Sequence, residues 1–340
     1  MAPEAQAGRQ PTPALIFDTF NAYQRTAALR AGIDLEVFAA IAEGKTTAKE
    51  IAERCGASER GTRILCDFLA IIGFLTKQGN NYGLTPDSAM FLDKHSPAYM
   101  GTMTEFILSS HVTDNFDYLT EAVKRGGTAG QTKSLEPDHP MWVKFARAMA
   151  PMMAMPAQLL APLVDPAANQ KLKVLDLAAG HGLYGLAFAK RNPNAEVTAV
   201  DWANVLEVAK ENAQAAGVSD RFHTKPGSAF DVDYGTGYDV VLLTNFLHHF
   251  DPPTCETLLR KARSALKDGG RAVTLEFVPN DDRVSPPQAA GFSLMMLGVT
   301  PSGDAYTFAE LEEMFRNAGF ARSEFHELPP TIERVVVSYK

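Results

Sequence analysis

The stretch Val174-Leu175-Asp176-Leu177-Ala178-Ala179-Gly180-His181-Gly182-Leu183-Tyr184-Gly185 decides the fold. A short apolar run carries one acid, and glycines follow at the spacing Gly-x-Gly-x-x-Gly. A buried strand that turns sharply into a helix needs this order. Glycine makes the tight turn, lets a ligand approach the backbone and lets the helix pack on the sheet. Asp201 follows Gly182 by 19 positions, at the end of the next predicted strand, where an acid can grip ribose hydroxyls. Further strands are predicted at 173–177, 196–200, 221–225, 238–243 and 271–277, with helices starting near Gly182, Trp202, Pro253 and Thr307. Segments 323–328 and 333–339 read as a terminal hairpin around Pro329-Pro330. Strands separated by helices imply an α/β fold with a doubly wound, mostly parallel, seven-stranded sheet and an antiparallel edge.

Upstream the pattern is helical. Residues 1–12 are small and polar and are expected to fray. From Pro13 to about Ala42 apolar residues recur at helical spacing, with a break near Gly32. Thr47-Ala48-Lys49-Glu50 reads as a capping box opening a helix that stops near Gly56. Ser58 caps the next helix, whose predicted apolar face is Ile64, Leu65, Phe68, Leu69 and Ile72. Leu75–Leu84 reads as a hairpin with Gly79-Asn80-Asn81 at its tip. Helix, turn, helix, hairpin is winged-helix order, which raises DNA binding. The charges argue against it: residues 1–100 hold ten Lys/Arg against eleven Asp/Glu, and the candidate recognition helix turns apolar after Arg60 and Arg63. A groove-reading helix needs a basic stripe with polar reach. A packing or dimerisation module is expected, with a partner subunit covering the long apolar first helix.

Residues 97–165 are rich in Met and aromatic side chains, with breaks at Gly126-Gly127 and at Pro137/Pro140. They suit either the core of a bundle bridging two domains or a pliable apolar substrate pocket, since Met fills irregular space. The expected organisation is 1–100 as winged-helix-like dimerisation domain, 101–165 as helical linker and 166–340 as cofactor-binding domain.

Composition narrows the class. A chain of 340 residues with 46% hydrophobic and 21% charged residues is ordinary globular protein, long enough for two domains. A net charge of −8 disfavours a protein that neutralises nucleic-acid phosphates. Cys55, Cys66 and Cys255 have no paired spacing, which excludes a disulfide scaffold or CxxC zinc site and suits a reducing cytosol. No apolar run approaches the ~20 residues of a membrane span, and no signal-peptide pattern opens the chain. A soluble cytoplasmic protein is expected, with neither membrane nor nucleic acid as partner.

The glycine fingerprint alone is shared by NAD enzymes and methyltransferases. Asp176 separates them: an acid four positions before Gly180 would repel a pyrophosphate arriving at that helix N-terminus, yet suits an ammonium group. Later motifs are more specific. Gly227-Ser228-Ala229-Phe230 follows strand three, where an adenine can be bracketed. Strand four runs into Leu243-Thr244-Asn245-Phe246-Leu247-His248-His249-Phe250, and Leu266-Lys267-Asp268-Gly269-Gly270 precedes strand five. On these residues the chain resembles the class I S-adenosylmethionine-dependent methyltransferases. More narrowly it resembles the small-molecule O-methyltransferases of the caffeate and hydroxyindole type, over nearly its whole length.

The resemblance implies a homodimer formed through the N-terminal domain. It also implies S-adenosyl-L-methionine as cofactor, S-adenosyl-L-homocysteine as product, and a small hydroxylated acceptor. It places Asp176, Ala178, Gly180, Gly182, Asp201, Trp202, Ser228, Ala229, Phe230, Thr244 and Asn245 around the cofactor. His248 falls on the general base and Glu276 on the carboxylate that orients it. Met141, Phe145, Met149, His249, Met296 and Thr300 fall on acceptor positions. The chain departs from the pattern at Ala178, where a glycine is usual, at Ser228 in place of an acid, at His249 after the base, and at Ala305 where a second carboxylate flanks the base, with Asp304 beside it.

The chemistry matches those residue types. A phenol of pKa ~10 is mostly protonated at neutral pH, and an imidazole near ~6.5 can take its proton. His248-His249 could instead be a structural pair or metal ligands, but no His-x-x-x-His or nearby acid cluster accompanies them, and no metal is expected. His181 reads as a loop residue near the cofactor; His95, His111, His139, His223 and His326 read as surface or core filler. Transfer to nitrogen, carbon or sulfur, a ligand-sensing regulator and an NAD-dependent dehydrogenase remain the rival functions.

Overall fold

The computed structural model describes residues 10–130, 138–165 and 167–340. Residues 1–9 of the expected frayed start, and Pro137, lie outside the described residues. The chain divides into two compact units, one ending at Thr104 and one running from Glu105 to the C-terminus.

The first unit opens with helices Ala14–Phe20, Ala22–Asp34 and Val37–Ala42. The break expected near Gly32 lies instead at Leu35-Glu36, where Glu36 takes φ 58°. Gly32 stays helical because the packing needs its smallness: a Cβ there would lie 3.1 Å from Leu69 and 3.2 Å from Phe38. The capping box is present, with Thr47 Oγ1 accepting the Glu50 N–H and Glu50 Oε2 accepting the Thr47 N–H. Gly56 ends that helix at φ 64°, and Ser58 caps Glu59–Ile71. The latter buries Thr62, Cys66 and Leu69, spaced four and three apart; Ile64, expected on this face, is exposed. Strands β1 (Leu75–Gln78) and β2 (Asn81–Leu84) form the hairpin, but the tip is only Gly79-Asn80, since Asn81 pairs with Gln78. The core gathers Phe38, Ile41, Ile51, Cys66, Leu69 and Tyr82. Two cations of the winged-helix-like segment, Arg63 and Lys77, are both paired to Asp67, which also accepts the Tyr82 hydroxyl. Leu15, Ile16, Phe17, Phe20 and Tyr23 are all more than half exposed.

The second unit begins with short helices, Ser110–Asp117 and Leu119–Arg125, the latter stopped by Gly126 at φ 79°. A 25-residue helix, Pro140–Val164, leads to the sheet. Strands β3 (Leu172–Leu177), β4 (Ala195–Asp201), β5 (Phe222–Pro226), β6 (Tyr238–Thr244), β7 (Leu266–Glu276), β8 (Arg322–Glu327) and β9 (Arg334–Tyr339) run in the order β5-β4-β3-β6-β7-β9-β8. The first five are parallel and β9 is antiparallel to both β7 and β8. β7 starts five residues earlier than read, because an irregularity opposite Tyr238–Val240 takes the Asp268-Gly269-Gly270 turn into the ladder. Helix Pro287–Val299 escaped the sequence, because its residues are too uniformly apolar to show a period.

β3 and β6 lie side by side, with Asp176 opposite Leu242 and Leu177 opposite Leu243. The chain leaves β3 toward one edge and β6 toward the other. Such a switch point opens a crevice at the strands' carboxyl ends. The sheet's core beneath that crevice includes Leu175, Leu177, Val241, Leu243 and Leu247, all fully buried.

Candidate active site

The loop after β3 is tied down by its own backbone and by Asp201. Asp201 Oδ2 accepts the Gly180 N–H and Oδ1 the Trp202 N–H, both at 2.7 Å. The Ala179 N–H donates to the Val200 carbonyl at 3.2 Å. Ala178, Gly180 and Gly182 all have left-handed φ, at 53°, 57° and 75°. For Ala178 this costs roughly 1–2 kcal/mol. At Gly180 a Cβ would meet nothing closer than 4.0 Å, so this backbone faces open space. At Gly182 it would lie 2.9 Å from Ala209 Cβ, so here the glycine serves packing against helix Ala203–Ala215.

Asp176 is wholly buried beneath the helix that follows the loop. Its Oδ2 accepts the Gly185 N–H at 3.0 Å, and its Oδ1 has no partner among the described residues. Burial, followed by the charge of Asp201, raises its pKa to about 7 despite the Gly185 bond. Burial likewise raises Asp201 to about 6. His181 is buried, accepts the Leu183 N–H on Nδ1, and is pushed down to about 4 by desolvation, so it is a neutral acceptor inside the loop.

The loop after β5 sits beside the end of β4, because the Gly227 N–H donates to the Asp201 carbonyl. Ser228 Oγ accepts the Phe230 N–H, and Lys261 holds the carbonyls of Ala229 and Phe230. Trp202 packs with Trp142 and Val143 against Ala146, Val205 and Val208.

Beyond Thr244, at the buried end of β6, Asn245 takes φ 52° and its N–H reaches the Leu275 carbonyl. Asn245 Nδ2 donates to Tyr184 OH at 3.1 Å, while its buried Oδ1 has no partner among the described residues. A single helical turn, Leu247–His249, follows. Glu276, at the end of β7, secures it: Oε1 accepts the N–H of Phe246 at 2.8 Å and of Leu247 at 2.9 Å. Oε2 lies 2.5 Å from His248 Nδ1. With Nδ1 engaged, Nε2 of His248 has no hydrogen-bond partner among the described residues. Phe292 packs edge-on against the His248 ring at 4.9 Å.

His248 lines a cavity of about 340 Å³. Met141, Phe145, Met149, His249, Met296 and Thr300, all expected around an acceptor, line it too. So does Asn245, expected at the cofactor. Phe277, Phe292, Gln288 and His111 also line it and were not read as site residues. Phe292 and Gln288 belong to the helix that escaped the sequence, and His111 looked like filler because its neighbours in space are remote in the chain. Burial, and then the neighbouring His248, hold His249 well below the ordinary imidazole value. His139 is not filler either: its Nδ1 accepts the Met141 N–H and caps helix Pro140–Val164. Asp304 does not join the base. It pairs with Arg283 at 3.4 Å, and Ala305 beside it is buried. Among the described residues no group of three or more His, Cys, Asp or Glu could hold a metal ion, and no helix is long and apolar enough to cross a membrane.

The residues present suit a sulfonium nucleoside. Gly180 offers open backbone, Asp201 a carboxylate fixed by the Gly180 and Trp202 N–H groups, and Asn245 Oδ1 and Asp176 Oδ1 are buried acceptors without donors among the described residues.

The O-methyltransferase domain family matches residues 116–321, and the O-methyltransferase dimerisation domain family matches residues 17–94. The chain is 58% identical to a provisionally assigned O-methyltransferase from Nostoc punctiforme PCC 73102 of known structure, with a TM-score of 0.93, covering 98% of this chain and 100% of that one. It is 29% identical to the 3-hydroxy-5-methyl-1-naphthoate 3-O-methyltransferase of Streptomyces sahachiroi, over 94% of this chain and 93% of the relative. Human N-acetylserotonin methyltransferase, solved with S-adenosylmethionine, shares the fold at a TM-score of 0.84 and 22% identity, covering 100% of this chain and 99% of that one.

Proposed function

This chain belongs to the O-methyltransferase family, and we propose that within it His248 is the general base that deprotonates a hydroxyl of a small aromatic acceptor held in the 340 Å³ cavity. The enzyme is an S-adenosyl-L-methionine-dependent O-methyltransferase. The observation that carries the reading is the pairing of His248 Nδ1 with Glu276 on one side of the ring while the residue lines the cavity.

When bound, S-adenosyl-L-methionine supplies an electrophilic methyl group on a sulfonium. Asp201 would grip the ribose diol, Gly180 would present open backbone, and Ser228, Ala229 and Phe230 would border the adenine. Asp176 acts mainly through the loop, since its one hydrogen bond fixes the first turn of the following helix. Asn245 Oδ1 and Thr244 lie at the end of the adjacent strand, on the side where the amino-acid portion would rest.

The apolar walls, chiefly Met141, Phe145, Met149, Phe292 and Met296, exclude water and hold a flat ring. Alignment of two reactants in such a site is worth on the order of 7–11 kcal/mol. His248 Nε2 then takes the hydroxyl proton. Glu276 fixes the tautomer with the Nδ1 proton facing it and stabilises the imidazolium that forms. His249, neutral and lining the same cavity, can hydrogen-bond the acceptor without competing for the proton.

The unit ending at Thr104 acts as the dimerisation module of a homodimer, its exposed Leu15, Ile16, Phe17, Phe20 and Tyr23 covered by a second copy. The free cysteines Cys55, Cys66 and Cys255 fit a cytoplasmic enzyme.

Isotopically labelled S-adenosyl-L-methionine offered with a panel of phenols, enols and carboxylic acids tests the reading. Label on an oxygen, located by NMR of the product, is expected. Binding of S-adenosyl-L-homocysteine without transfer to any panel member, or transfer to carbon or nitrogen alone, would replace it.

A further inference from the structure

Gln288 and Ile332 each line two spaces at once. On one side is the acceptor cavity; on the other is a cleft of about 230 Å³. The cleft differs in chemistry from the cavity. Glu327, Thr331, Glu333 and Arg334 line it, with two prolines and a leucine.

The charges in the cleft do not balance. Arg334 is already committed, to Glu327 at 3.3 Å, to Asn280 Oδ1 at 2.8 Å and to the Val278 carbonyl at 2.8 Å. That leaves Glu333 as the surplus carboxyl. It is only 2% exposed, and its Oε1 has no hydrogen-bond partner among the described residues. A buried acceptor without a donor costs about 1–3 kcal/mol, more if charged, and a ligand that supplies the donor recovers it.

We propose that this cleft is a second subsite of the acceptor site, and that it takes an amine-terminated side arm of the acceptor, whose ring lies in the cavity and whose ammonium is met by Glu333. The proposal rests on the methyltransferase reading of the cavity. Gln288 and Ile332 form the threshold that the arm crosses. Burial raises the pKa of Glu333, and an ammonium brought against it favours the ionised form.

Calorimetry on the full chain saturated with S-adenosyl-L-homocysteine tests this with two probes, 2-naphthol and 6-(4-aminobutyl)-2-naphthol. The amine is expected to bind at least about tenfold tighter. Glu333→Gln should abolish that advantage while leaving 2-naphthol affinity within about twofold. Thr331→Trp, which fills the cleft from a residue that does not line the cavity, should do the same, and retained 2-naphthol affinity in each variant shows that it is folded. Equal binding of the two probes by the wild type, or an amine advantage that survives both substitutions, overturns the subsite alone. Binding of S-adenosyl-L-homocysteine with neither naphthol bound overturns the acceptor reading as well.

Discussion

His248 Nδ1 lies 2.5 Å from Glu276 Oε2, while the other oxygen of the same carboxylate accepts the backbone N–H groups that open the turn carrying His248. One side chain therefore builds the turn and orients the ring. Both residues are more than nine-tenths buried, so neither is a solvated strand-end or surface group.

Substitutions at Glu276 should separate these two duties. Glu276→Gln keeps a carbonyl oxygen for the N–H groups of Phe246 and Leu247. Its amide then faces Nδ1 as a donor, which forces the ring proton onto Nε2, the wrong tautomer for a base. Turnover should fall by about 10²-fold or more with little change in Tm. Glu276→Ala also leaves buried N–H groups unpaired at roughly 1–3 kcal/mol each, so its Tm should drop by several degrees. Calorimetric melts beside rate measurements distinguish the two variants.

His248→Ala should reduce kcat by about 10²–10⁴-fold, the usual span of general-base catalysis. Cofactor affinity should stay near wild type, because among the described residues His248 has its hydrogen bonds and ring contacts with Glu276, His249 and Phe292 and none with the glycine loop or Asp201. Titration with S-adenosyl-L-homocysteine beside a turnover assay checks both. Unchanged turnover would remove the imidazole from the mechanism.

Cofactor affinity should depend on pH through Asp201. Only its ionised form accepts from the ribose diol while holding Gly180 and Trp202. With a pKa raised by burial to about 6, binding should strengthen as pH rises through 6 and be about tenfold weaker at pH 5 than at pH 8. The sign for stability is the opposite. A raised carboxyl pKa means that the ligand-free fold binds the proton more tightly than the unfolded chain, so this group's contribution declines between pH 4 and 6. Asp201→Asn should weaken binding at pH 8 and flatten the profile; an affinity equally steep in the variant would assign the dependence to another group.

Phe17→Glu together with Phe20→Glu should dissociate the proposed homodimer. Covering each phenylalanine is worth about 1.5–3 kcal/mol, and a symmetric interface counts every substitution twice. Sedimentation velocity at micromolar concentration should show a monomer, with S-adenosyl-L-homocysteine affinity retained by the second unit. A dimer that persists would place the interface elsewhere.

Where a signal is local, the sequence carried it. The strand-glycine-helix run from Val174 to Gly185, the Thr47–Glu50 capping box and the seven strands are written over a few residues each, and turn sterics, capping and strand alternation act over that range. The loop glycines and Asp201 were legible for that reason, each marking the end of a strand, whereas His248 and Glu276 were paired through the family resemblance.

Folding decided the rest. Helix Pro287–Val299 hid because apolar residues on all sides leave no period, and with it hid Phe292 and Gln288. Gly32 read as a breaker until Leu69 and Phe38 closed over it. Asp176 reads as an acid that can order the loop and the cofactor's ammonium end, and its depth beneath the next helix gives it the bond to Gly185 while leaving Oδ1 without a partner among the described residues. The cavity brings His111, Met149, His248, Phe292 and Ile332 together from five separate stretches of chain. Spacing along a chain fixes which way a side chain leaves its own helix or strand; which side chains then meet depends on how those elements cross and pack, and no single stretch encodes that.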